Sequence, residues 1–310
     1  MEKEKGIVGA PYDDVFRTLV NDCVKLLLPM INEVFHEQYI GNEEIYLYPN
    51  EHFLNQQDGD EQKRITDTCF GIQGEELKLY HWECQSSPDN SMLVRMFEYD
   101  SQIALDRGKI YDNILTVNFP YSAVLFLRST VSVPDRMKTK IVVSGRVIQY
   151  DILVMKSQTY TIKEIFEKKL LLLIPFHIFS YEGQFQEYNE DDTQVNNLME
   201  DYRAIREQLE ELCRTGEIDE YTKCTIVDMS NKVLEHIARN YSRIREGVKS
   251  VMGGKVLEYE AKTILNKGIS QGRIETYREL IHDGFITFAE AARRLHMEES
   301  ELMDYVGKEN

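Results

Sequence analysis

The sequence predicts an α/β protein. A mixed β-sheet flanked by helices should occupy residues 11–180, and a helical C-terminal region residues 190–310. Three observations carry this. In the first half, apolar residues at helical spacing alternate with short runs rich in β-branched and aromatic types. The order of these segments is helix, hairpin, helix, strands, which puts helices on the faces of a sheet. Near residue 185 the composition turns polar and acidic, and beyond it periodic helices follow, punctuated by Gly253-Gly254 and Gly284.

The elements follow in order. Val15, Phe16, Leu19, Val20, Cys23, Val24, Leu27 and Leu28 recur by three and four, so 13–38 reads as a helix, with Pro29 threatening a kink or an early end. RITDTCFGI (64–72) and LKLYHWECQS (77–86) read as strands joined by the turn QGEE. MLVRMFEYDSQIALDRG (92–108) reads as an amphipathic helix closed by Gly108. Further strands are expected at 112–118, 122–128, 139–145 and 147–155, and KLLLLIPFHIF (169–179) reads as a buried strand followed by a turn. QFQEYNEDDTQ reads as a linker or loop, and helices are expected at about 194–214, 218–247, 254–281, 287–295 and 298–306. The last two have the cadence of a small helix-turn-helix, with Thr287 and Glu290 as a capping box. A DNA-reading helix should be basic or amide-rich. The segment 287–310 carries three Lys and Arg against six Asp and Glu, which favours packing or partner contact.

The chain has 310 residues, 42% hydrophobic and 29% charged, as an ordinary soluble protein of one or two domains would. Five cysteines without Cys-x-x-Cys spacing argue against a disulfide framework or a zinc site, and for a reducing cytoplasm. The start lacks an apolar signal core, and no apolar run reaches a membrane span, so no membrane partner is expected. The net charge is −17, which sits badly with phosphate binding. The distribution softens this: residues 121–180 hold nine Lys and Arg against four Asp and Glu, and 181–240 hold six against fifteen. The basic stretch 128–146 reads either as part of a DNA-facing rim or as a solvated hairpin.

The feature most suggestive of chemistry is Asp67, followed sixteen residues later by Glu83-Cys84-Gln85-Ser86-Ser87-Pro88-Asp89. A turn centred near Glu75 sets Asp67 opposite Glu83, with their Cβ atoms roughly 5 Å apart. Alternation puts His81, Glu83 and Gln85 on one face and Trp82 and Cys84 on the other. Two carboxylates that close repel unless a cation or a shared proton separates them. A hard divalent cation with oxygen ligands, Mg²⁺ before Mn²⁺, is the economical explanation. The alternative is a hairpin whose polar face meets solvent.

The phrases Asn50-Glu51-His52-Phe53-Leu54, KRITD at 63–67 and WECQSSPDNSMLVRMFEYD at 82–100 resemble the PD-(D/E)XK nuclease family transposases, close to the recombination-promoting nucleases. The resemblance spans 11–107, weakens over 108–180, and also takes in Asp13, Phe16 and Arg17. It implies a restriction-endonuclease-like sheet and a Mg²⁺-dependent DNA endonuclease. It makes Asp67 and Glu83 the metal ligands, with the backbone carbonyl of Cys84 as a third oxygen. Gln85 stands where the superfamily usually has Lys; a neutral amide orients water but brings no charge. Lys78 and Arg95 are candidate sources of the missing positive charge.

Other residues keep two readings. Asp13 is an outer metal ligand or the N-cap of the first helix. Arg95 clamps the scissile phosphate or pairs with Glu98 or a neighbouring carboxylate, and Tyr99 at i+4 supports it or a ligand carboxylate. Glu51 and His52 match the family phrase without a defined role. Cys84 fills core rather than serving as a nucleophile beside His81. The leading function is a DNA endonuclease of a mobile-element or recombination-promoting lineage, whose C-terminal helices are expected to pack on the nuclease core or to form a homodimer. The alternative is a catalytically decayed copy that acts as a binding or assembly protein.

Overall fold

The computed structural model of the protein describes residues 11–48, 68–89, 91–129 and 133–253, the backbone of 51–55 and 61–65, and isolated positions between 287 and 303. The chain divides into two compact units, 1–254 and 255–310.

In the first unit a six-stranded mixed sheet carries helices on both faces. Its strands are β1 (Glu44–Tyr48), β4 (Thr68–Gln73), β5 (Leu77–Gln85), β8 (Tyr121–Phe126), β9 (Arg136–Val143) and β10 (Arg146–Lys156), in the order β1-β4-β5-β8-β10-β9. The centre, β5-β8-β10, is parallel, and the outer pairs are antiparallel. Two short hairpins stand apart: β2 (Glu51–Asn55) with β3 (Glu61–Ile65), and β6 (Lys109–Tyr111) with β7 (Ile114–Thr116). The parallel step from β5 to β8 is made through α3 (Met92–Asp106), as parallel pairing requires a long crossover.

Helix α3 lays Met92 and Met96 on Val124, Phe126 and Ile152. The opposite face carries the main core. There Phe70, Tyr80, Trp82, Cys84, Ala123 and Leu125 meet α1 (Tyr12–Asp22), α2 (Leu27–Phe35) and the helices beyond residue 160. Tyr80 is wholly buried among Phe70, Phe35 and Tyr121.

Several elements differ from expectation. The first helix breaks at Cys23 rather than at Pro29. Because α2 starts at Leu27, Pro29 falls in its first turn, where an N–H has no helical acceptor to lose. Of the strand expected over 64–72, Thr68 onward belongs to β4, whereas Arg64 and Ile65 belong to β3 in a separate hairpin, and residues 66 and 67 lie outside the described residues. The strand expected over 112–118 is instead the β6–β7 hairpin, turned at Asp112 and Asn113, both with positive φ (48° and 63°). The Leu-rich run does not extend as a strand: Leu171–Gln184 is a 3-10 helix, buried from Leu171 to Phe179. It lacks β-branched residues apart from Ile, and an apolar run alone does not distinguish strand from helix.

The acidic stretch near 185 is not a loop. It forms α5 (Phe185–Glu190), and Asp191 then caps α6 (Asp192–Arg214) by accepting from the N–H of Thr193 and Gln194. The helix expected over 218–247 is two, α7 (Glu220–Ile237) and α8 (Ser242–Met252), and the Tyr241 ring packs edge-on to Phe185 at the break. These helices share the core of the sheet, so the compact unit runs well past the composition shift. The helix expected at 254–281 lies outside the described residues. In the second unit Ala291 N–H donates to Thr287 C=O, and Ala291, Ala292 and Leu302 are buried.

Candidate functional site

The hairpin of β4 and β5 has the expected register. Gln73 pairs with Leu77 and Thr68 with Trp82, so the turn is centred on Glu75. Asp67, the residue before Thr68, lies outside the described residues, as do the side chains of Glu51 and His52. On β5 the faces divide as alternation requires. Trp82 and Cys84 enter the main core, so Cys84 is a packing residue, while His81 and Glu83 are buried on the α3 side.

There the structure assembles a cluster only partly foreseen. His81 is completely buried, and Glu83 is 3% and Asp100 0% exposed. The imidazole bridges the two carboxylates: Nδ1 lies 2.7 Å from Asp100 Oδ1 and Nε2 3.1 Å from Glu83 Oε1. Ser122 Oγ donates to Asp100 Oδ1 at 2.7 Å, and Tyr150 Oη to Oδ2 at 3.3 Å. The Tyr99 ring stands edge-on to the imidazole at 5.9 Å. Burial pulls the His81 pKa down, but hydrogen bonds and charge from Asp100 and Glu83 outweigh it and push it up to about 10. This is no Ser-His-Asp triad, because Ser122 donates to the carboxylate and not to the imidazole.

Asp100 was legible as an anomaly. It stands in the apolar stripe of α3 with Met92, Met96, Tyr99 and Ile103, where an unpaired carboxylate would be costly. Ser122 and Tyr150 carried no such signal, because their approach depends on the β5-β8-β10 order.

Asp13 is not the N-cap of α1. Pro11 holds that place, and Asp13 sits in the first turn. Burial raises its carboxyl above the usual range. Arg17 opposes this, Glu83 adds to it, and Arg95 opposes it again. Asp13, Arg17, Glu83 and Arg95 are thus electrostatic neighbours drawn from α1, β5 and α3.

Arg95 Nη2 pairs at 3.0 Å with Asp89 rather than with Glu98, and its buried Nε has no hydrogen-bond partner among the described residues. Asp89 also accepts from the Ser91 N–H and hydroxyl, tying the ECQSSPD loop to the start of α3. Gln85 is half-buried at the end of β5, and its carbonyl accepts from Leu127 N–H at 2.9 Å. Lys78 is engaged elsewhere, 2.6 Å from Glu37.

The basic stretch forms an antiparallel ribbon. β9 pairs with β10 from Arg136↔Leu153 to Val143↔Arg146, while β8 pairs with β10 only from Leu153 onward. Arg136, Lys138 and Lys140 share the ribbon face away from Tyr150, where Asp151 is the one acidic residue of the two strands. The basic face is therefore separate from the carboxylate cluster.

Among the described residues no group of three or more His, Cys, Asp or Glu side chains is arranged to hold a metal ion, and no helix is long and apolar enough to cross a membrane. The fold and cluster define a mixed α/β protein with a buried carboxylate–imidazole–carboxylate chain on its α3 face. Comparison with protein-family models, curated proteins and solved structures finds no match.

Proposed function

We propose that this chain is a Mg²⁺-dependent DNA endonuclease with a PD-(D/E)XK-type, restriction-endonuclease-like core, related to the recombination-promoting nucleases. The observation that carries the reading is the β4–β5 register. Its described pairs, Gln73↔Leu77 to Thr68↔Trp82, keep the spacing from which the sequence predicts Asp67 facing Glu83, and Glu83 is buried with Asp13 as an electrostatic neighbour. The donors are carboxylate oxygens, which fit a hard cation, and Mn²⁺ would substitute.

In this reading Asp67 and Glu83 hold the ion, with Asp13 as an outer ligand. The bound ion supplies Lewis acidity toward water and phosphate. Gln85 orients the attacking water. Arg95, held near the site by Asp89, balances charge on the phosphate. Tyr99 supports the buried end of the cluster. The duplex would approach a protein whose basic residues gather on the β9–β10 ribbon, and the acidic C-terminal helices would serve self-association.

One observation favours a second reading. His81 already lies between Glu83 and Asp100, so the repulsion between these two carboxylates is relieved without a metal. A decayed nuclease fold kept for binding or assembly would look the same.

Supercoiled plasmid incubated with purified protein separates the two. Nicking or linearisation with Mg²⁺ or Mn²⁺, abolished by EDTA, supports the nuclease. No cleavage with any divalent ion leaves the decayed reading.

A further inference from the structure

Nothing in the reading above uses Asp100, although its buried carboxylate has several partners among the described residues. It accepts from three groups, on β5, β8 and β10: His81, Ser122 and Tyr150. A network of this kind is expensive to bury, and apolar residues of similar size would often stabilise the fold as well or better. The surroundings would suit them, since Met92, Met96, Val124, Phe126 and Ile152 pack on the same side of the sheet.

The chemistry of the chain is directional. Asp100 fixes the ring through Nδ1, so that Nε2 faces Glu83 Oε1. A carboxylate only accepts, so each ring nitrogen facing one should carry a hydrogen. Ser122 and Tyr150 anchor Asp100 in turn. The arrangement matches the way outer-shell carboxylate–imidazole pairs orient a coordinating group.

We propose that Asp100 and His81 are positioning residues for Glu83, holding its carboxylate in the orientation that receives a divalent cation. This rests on the nuclease reading above.

Calorimetric titration with Mn²⁺ tests the idea without relying on turnover. The proteins are wild type, Glu83→Ala, Asp100→Asn, His81→Ala, His81→Gln, Ser122→Ala and Tyr150→Phe. Ser230→Ala controls for loss of a buried hydroxyl elsewhere, since Ser230 donates to Ile226 C=O within α7. Asp100→Asn and His81→Ala should weaken Mn²⁺ binding roughly 10- to 100-fold, as outer-shell losses commonly do. His81→Gln should recover part of the loss, because its amide can still donate to Glu83. Ser122→Ala and Tyr150→Phe should shift affinity less, in the same direction, and Ser230→Ala should not shift it.

Wild-type affinity in both Asp100→Asn and His81→Ala overturns the positioning role and leaves the metal reading standing. If those two variants fail to fold, unchanged affinity in both Ser122→Ala and Tyr150→Phe overturns it. If wild type binds Mn²⁺ no better than Glu83→Ala, both the positioning role and the metal reading fall.

Discussion

His81 and Asp100 face each other across the β5–α3 interface, with imidazole Nδ1 2.7 Å from Oδ1, and both side chains are closed to solvent. The contact has a consequence for stability against pH. An unfolded histidine releases its proton near pH 6.5. In the folded protein Asp100 and Glu83 outweigh burial and hold it until about pH 10. Folding stability from this group is therefore complete below about pH 6.5 and declines as pH rises toward 10, by up to about 1.4 kcal/mol per pH unit for one proton. Urea unfolding followed by the single tryptophan, Trp82, should show that alkaline decline, and His81→Gln should flatten it.

His177 gives the opposite limb. It is 5% exposed, its Nδ1 lacks a hydrogen-bond partner among the described residues, and burial holds its pKa down at about 4. Between about pH 6.5 and 4 the unfolded chain takes up this proton and the folded one does not, so stability falls with pH. His177→Phe should remove that part of the acid limb. At pH 7 it should be neutral or stabilising by about 1 kcal/mol, because an unsatisfied buried polar atom disappears. The same unfolding series from pH 4 to 8 measures both effects.

How much of this was legible depended on how local the cause is. The β4–β5 turn is written in Gln73-Gly74-Glu75-Glu76, and the alternation along β5 follows from chain geometry, so the pairing and the facing of His81 and Glu83 could be read directly. The length of α3 followed from its apolar spacing. The 3-10 form of Leu171–Gln184 could not be read, because a uniformly apolar run has no face to orient it. The meeting of Tyr150 with Asp100 is set by sheet order, which puts β10 beside β8 and β8 beside β5. The pairing of Arg95 with Asp89, rather than with Glu98, depends on how the loop before α3 turns back.

Gly71 offers a packing test on β4. A Cβ there would lie 2.8 Å from Tyr48 Oη and 2.9 Å from Leu77 Cδ1. The Tyr48 ring is also covered by the Arg107 guanidinium, 3.7 Å from its centroid, so it has a contact to lose by moving. Gly71→Val should cost about 1–3 kcal/mol, the usual range for overpacking. A melting temperature within error of wild type would show that Tyr48 and Leu77 yield freely.

In the proposed nuclease, removing residues 285–310 should leave plasmid nicking largely intact. The segment is net acidic, and a surface of that sign attracts no phosphate. Loss of nicking with the circular dichroism spectrum preserved would make it a DNA-binding element.

The chemistry itself predicts an ordering among variants. In the proposed nuclease Asp67→Ala and Glu83→Ala would each remove an anionic oxygen ligand and should abolish cleavage in Mg²⁺ or Mn²⁺. Gln85→Ala removes only a neutral amide at the end of β5, so it should slow the reaction less. Arg95→Gln should fall between them, because a cation beside a phosphate contributes more than an oriented dipole but does not hold the metal. Asp89→Asn should repeat part of the Arg95 defect, since Asp89 Oδ2 is the partner 3.0 Å from the guanidinium. Initial nicking rates over equal protein concentrations, with folding checked by Trp82 fluorescence, give the order. Cleavage by Asp67→Ala at the wild-type rate would assign the activity to another site or a contaminant. An Asp89→Asn rate equal to wild type, with Arg95→Gln impaired, would mean that the guanidinium finds its place without the loop.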